Sequence, residues 1–96
     1  MSPVKKVWTD AELLEVLTKD PRNIYATLGF LDLYLARLKE LASPIVDLSK
    51  KVDEAIKVGV ARAFAALRNR PEDTSLFEWV WAHVEVQASR LAACLV

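Results

Sequence analysis

The sequence predicts an all-α fold, a small four-helix bundle with one short helix and three longer ones. Apolar residues recur at steps of three and four through every long segment, which is the pattern of one buried helix face. Both glycines, Gly29 and Gly59, lie inside those helical patterns, and no turn-rich hairpin signal marks a pair of strands. Pro21, Pro44 and Pro71 punctuate the chain between the segments, where a proline ends one helix or opens the next.

Residues 1–7 read as a loose tail ahead of a single helical domain, 8–96. The first helix has a complete local start signal. Thr9 and Glu12 form a T-x-x-E capping box, and Trp8 and Leu13 occupy the two positions of a hydrophobic staple. Asp20 precedes Pro21, so this helix stops near Lys19. Asp20 then reads as the N-cap of the second helix, with Pro21 at its first position. Ile24, Leu28, Leu31, Leu35, Leu38 and Ala42 repeat by fours and threes and make a heptad seam. Phe30, Tyr34 and Leu41 widen that seam on one side.

Ser43 as N-cap and Pro44 at the first position open the third helix, expected over about 44–70 and central to the bundle. Pro71 forbids its continuation. Ile45, Leu48, Val52, Ile56, Val60, Ala63 and Leu67 share one face, and Asp47–Lys51 and Asp53–Lys57 are i,i+4 pairs in the favourable order. Gly59 and Ala63 stand four apart, so another backbone can approach there. The fourth helix starts at a second capping box, Ser75 and Glu78. Its core face is Phe77, Val80, Trp81, Val84, Ala88, Leu91 and Leu95.

Composition narrows the function. Thirteen basic and thirteen acidic side chains cancel, which leaves no global field to draw nucleic acid or an anionic membrane. Uncharged stretches reach about nine residues, roughly half of a membrane span. Cys94 is the single cysteine, in keeping with a reducing, cytoplasmic setting. The scarcity of Asn, Gln, Cys and Met hints at a hot-living source.

Catalytic chemistry finds few candidates. His83 is the only histidine, and no carboxylate stands three or four residues from it to orient the ring. Cys94 lies too near the chain end for a tuned nucleophile. Glu78 and Glu85 are two turns apart on one face, a solvated acidic face. Asp32, amid apolar neighbours, falls near Lys39 on the seam's edge and reads as exposed or ion-paired. No metal-ligand spacing, phosphate loop, cofactor motif or small-molecule substrate site is evident. The sequence therefore predicts no enzyme.

The surplus apolar surface points to a partner instead. Three helices carry a second stripe besides the core face: Leu33 with Gly29 and Ala36, then Val58, Ala61 and Ala65, then Trp79, Ala82, Val86 and Ala93. A small bundle should turn one face of each helix to water, so a lone copy exposes more apolar surface than is usual. The expectation is a non-enzymatic helical interaction module, self-associating or a small accessory subunit, with Trp79 as its anchor. The alternative is a nucleic-acid-associated subunit. Residues 43–70 carry net +3 and residues 71–96 net −3, and Arg37, Arg62, Arg68 and Arg70 would serve as phosphate contacts.

Overall fold

A computed structural model describes residues 7–46 and 49–93. Among these residues all regular structure is helical: α1 (Asp10–Lys19), α2 (Ile24–Ala42), α3 (Ser49–Ala65) and α4 (Leu76–Ala93), with a 3₁₀ turn at Leu67–Asn69. Residues 1–6 of the expected tail, Asp47 with its ion pair to Lys51, Leu48, Cys94 and Leu95 lie outside the described residues. No described helix is long and apolar enough to cross a membrane.

The start of α1 follows its local signal. Thr9 Oγ1 accepts the Glu12 amide at 3.2 Å, and Glu12 Oε1 accepts the Thr9 amide at 3.2 Å. The start of α2 does not. Asp20 Oδ1 accepts the amide of Arg22 in a local turn, and Pro21 belongs to that turn. Asn23 is the N-cap instead, with Oδ1 accepting the Ala26 amide at 3.0 Å. An Asp before a proline can close a turn as readily as open a helix, because its short carboxylate reaches the backbone two residues on.

The long third helix is likewise shorter than its prolines imply. Residues 43–45 form a turn. Ser43 keeps helical geometry as the C-cap of α2, and its hydroxyl donates to the Lys39 carbonyl at 2.6 Å. That back-bond commits Ser43 to the helix behind it. At the other end Ala66 leaves the helix at φ −102°, and the chain tightens into the 3₁₀ turn. This end geometry is common because it gives the last carbonyls new donors. It also keeps Leu67 buried while Arg68 swings to the Thr18 carbonyl of α1, 3.4 Å from its Nε.

Packing centres on the α3–α4 hairpin. A methyl group built on Gly59 would lie 2.6 Å from the Val84 Cα, so the two backbones meet where only glycine fits. Val52, Ala55, Ile56, Val60, Ala63 and Phe64 of α3 face Leu76, Val80, Val84 and Ala88 of α4 in one apolar core. Phe77, Trp81 and Leu91 of the expected α4 face are half-buried against it. Ser75 opens α4 by accepting the Glu78 amide on its Oγ at 3.1 Å.

The α2 helix packs with a different face from the one its heptad pattern proposes. Ala26, Phe30, Leu38 and Ala42 are fully buried, while Ile24 and Leu28 are exposed. Phe30 meets Phe64 edge-on at 5.4 Å and Tyr34 at 5.1 Å, and Tyr34 meets Phe77 at 5.3 Å. A row of rings at i and i+4, flanked by alanines at both ends, lets α2 cross the hairpin closely in the middle. Tyr34 also donates to Asp10 Oδ1 at 2.5 Å, tying α2 to the first turn of α1. That bond, burial and the Asp10 charge push the Tyr34 hydroxyl up to about 12, against a smaller opposing effect of Arg37.

The fold is flat. Its extents are 48 × 36 × 20 Å and its radius of gyration is 13.9 Å, against roughly 12.5 Å for a compact chain of this length. A thickness of 20 Å is about two helix diameters. Each helix therefore has a side that no other helix covers.

Candidate interaction face

Among the described residues α2 carries most of the exposed large apolar side chains: Ile24, Tyr25, Leu28, Leu33 and Leu41. Its inner row of rings fixes the helix rotation, and that rotation turns Ile24, Tyr25 and Leu28 outward at 63%, 74% and 57% exposure. These are large side chains on two successive turns, with half-buried Leu31 and Leu35 continuing the line. The heptad seam therefore divides. Leu38 and Ala42 enter the core, Leu31 and Leu35 pack half-buried against it, and Ile24 and Leu28 stand outside it, so the four together make a ridge that sinks toward the core.

A groove runs along each side of that ridge. One of about 520 Å³ lies toward α3, floored by Leu31, Leu35, Ile56, Val60 and Phe64. Lys39 and Asp53, 3.8 Å apart, bridge α2 to α3 at its rim. Asp53 thus pairs across helices, not with Lys57 along its own helix. The second groove, about 850 Å³, lies toward Trp8 and includes Tyr25, Leu28, Gly29 and Ala36. Trp8 closes its floor: a methyl group on Gly29 would sit 2.3 Å from the indole Cδ1. Gly29, assigned by sequence to a second stripe, is instead the seat of the chain's own tryptophan. Asp32 is exposed at this groove's edge.

The residues expected to form a partner face do not gather in one place. Trp79 is half-buried, and its indole N–H donates to the Ala63 carbonyl at 2.9 Å. Ala63 is among the last four residues of α3, whose carbonyls a helix end leaves without intrahelical donors. Trp79 therefore closes the end of a neighbouring helix within its own chain. Leu33 is exposed on α2, and Val86 on α4. Ala61 lines the α2–α3 groove, and Ala82 lines a separate groove with Val86. Ala65 and Ala93 are exposed and Val58 is half-buried. What the regularity of the seam does not reveal is that its first two members, Ile24 and Leu28, stay outside the core.

The four arginines of the alternative reading point to different elements. Arg37 stands over the Phe77 ring at 4.6 Å, where the cation meets the π face. Arg68 reaches Thr18 of α1, and Arg70 donates to the carbonyls of Pro71 and Thr74 before α4. Arg62 lies in a groove of about 280 Å³ with His83, Gln87 and Arg90. His83 Nδ1 is 2.9 Å from the Trp79 carbonyl. A carbonyl only accepts, so Nδ1 carries the hydrogen and the neutral ring keeps its lone pair on Nε2. Its ring packs edge-on against Trp79 at 4.7 Å. Glu78 and Glu85 are both exposed. Among the described residues no group of three or more His, Cys, Asp or Glu side chains is placed to hold a metal ion.

Comparison with protein-family models, curated proteins and solved structures gives no match.

Proposed function

We propose that the chain is a non-enzymatic, cytoplasmic, helical protein–protein interaction module, self-associating or acting as a small accessory subunit. The observation that carries this reading is the uncovered seam of α2. Burying large apolar side chains is worth about 1.5–3 kcal/mol each, and Ile24, Tyr25 and Leu28 leave most of that unrealised in a single copy. Folding alone gives no reason to keep three such residues on the outside, whereas a partner helix does. The expected anchor moves accordingly, from Trp79 to Leu28 and its neighbours. His83, held by a carbonyl and an indole, supports a structural role for the lone histidine.

The test is the size of the native particle. Gel filtration of extract from cells that make the protein should place it well above the mass of one chain. The triple variant Ile24→Glu, Tyr25→Glu, Leu28→Glu should move it to the single-chain position while its purified form keeps its helical circular dichroism. A wild-type particle already at single-chain mass overturns the reading.

A second reading, association with nucleic acid, keeps support from Arg62 and Arg90 in one groove without an acidic lining residue. Retention on immobilised RNA or DNA that falls steeply with salt and vanishes in Arg62→Glu, Arg90→Glu supports it, and salt-independent or absent retention removes it.

A further inference from the structure

We infer that the partner on the α2 seam is a second copy of this chain, its α2 packed antiparallel across a two-fold axis. The inference rests on the interaction-module reading and names its occupant. Steps of four, three and four at Ile24, Leu28, Leu31 and Leu35 are the spacing that one long helix offers to another. A strand or an extended peptide does not use that period. Among the described residues no other helix covers Ile24 and Leu28, and α2 itself carries the matching pattern.

An antiparallel arrangement sets the exposed Ile24 and Leu28 of each copy against the half-buried Leu35 and Leu31 of the other. With the axis level between Leu28 and Leu31, Leu28 of each copy packs on Leu31 of the other and Ile24 packs on Leu35. These are the alternating layers of a short antiparallel coiled coil, about 18 Å long. The helix dipoles run opposed, whereas a parallel pair would set two positive ends side by side. Net charge is zero, so two copies meet without overall repulsion.

The area is of the right size. At the exposures found for Ile24, Tyr25 and Leu28, with the half-buried leucines, the ridge presents roughly 400–500 Å² of apolar surface. A standard interface takes about 800 Å² from each partner, somewhat over half of it apolar. The apolar surface of the ridge is of that order. Aromatic Tyr25 at the margin supplies a large rigid surface with a hydroxyl left free for the wet rim.

Sedimentation equilibrium of the purified full chain should give twice the chain mass in the micromolar range. Leu28→Glu should raise the dissociation constant roughly a hundredfold or more, since each dimer would bury two unpaired carboxylates. Its helical circular dichroism should stay unchanged, because residue 28 is exposed in one copy. Val86→Glu, an exposed site on α4, should stay dimeric. In a Cys94→Ser background, oxidising a mixture of Ile24→Cys and Leu35→Cys should link one of each. Neither variant should link to itself. Linkage of Ile24→Cys to itself, or a purified wild-type chain that stays monomeric, overturns the inference. A monomer in purified form beside a larger particle in extract removes self-pairing alone. A single-chain particle in both removes the interaction-module reading as well.

Discussion

Replacing Gly59 with alanine sets two effects of opposite sign against each other, and the structure decides between them. In an exposed helix interior the change stabilises by about 1 kcal/mol, because glycine is the costlier helix former. At position 59 the new methyl would lie 2.6 Å from the Val84 Cα and 2.8 Å from its amide nitrogen. Backbone atoms cannot rotate away. Ordinary contact begins near 3.4 Å, so α3 and α4 must separate by about 0.8 Å. A gap of that size forfeits a quarter to a half of each dispersion contact across the interface. The interface here includes Ala55, Ile56, Ala63, Val80 and Ala88. The loss is about 1–3 kcal/mol, on the scale of overpacked cores. Net destabilisation should reach up to about 2 kcal/mol, read from urea unfolding at unchanged slope. Gly29→Ala is the built-in contrast. Its obstacle is the Trp8 side chain near the chain's start, which can swing aside, so the propensity gain offsets most of the lost packing and the net change should stay within about 1 kcal/mol. A Gly59→Ala protein more stable than wild type would refute the close crossing and, with it, the rotation assigned to α4.

Two further outcomes follow from side-chain bonds. Trp79→Phe keeps a ring against the hairpin but removes the donor to the Ala63 carbonyl. It should cost about 1–2 kcal/mol, a fall of roughly 4–16 °C in Tm by calorimetry, with the particle mass unaltered. An altered mass with an unaltered Tm would return Trp79 to the partner face. Tyr34 gives a pH signature. Its folded value of about 12 lies above the unfolded value of 10.0, so the fold holds a proton that the unfolded chain releases. Its stabilising contribution is fully present below pH 10 and is lost as pH rises through 12. Asp10→Ala removes the hydrogen bond, the largest cause of that shift, together with the Asp10 charge. Urea midpoints followed upward from pH 9 should then decline less steeply than in wild type, and identical slopes would sever the link between Asp10 and Tyr34.

Much of this architecture is local chemistry and could be read before any packing was known. The Thr9–Glu12 box and the Ser75 cap involve residues three apart, so their hydrogen bonds exist wherever the helix starts there. The close approach at Gly59 was legible for a similar reason, because a missing side chain in an apolar stripe has few other uses. The helix count needed only periodicity and three prolines. What the sequence left undecided was which of two stripes on α2 faces inward. Ile24–Leu28–Leu31–Leu35 and Ala26–Phe30–Tyr34 are both apolar, and both run into Leu38 and Ala42. Periodicity measures the angle of a stripe around its own axis and carries no information about the neighbour that will meet it. The tertiary structure settles the matter through shape. Phe30 and Tyr34 find Phe64 and Phe77 across the helices, Trp79 finds the open carbonyl at the end of α3, and Trp8 finds the bare backbone of Gly29. Each is a contact between residues distant in the chain, so only the assembled fold could assign it. In making those assignments the fold turns Ile24 and Leu28, the start of the more regular seam, outward.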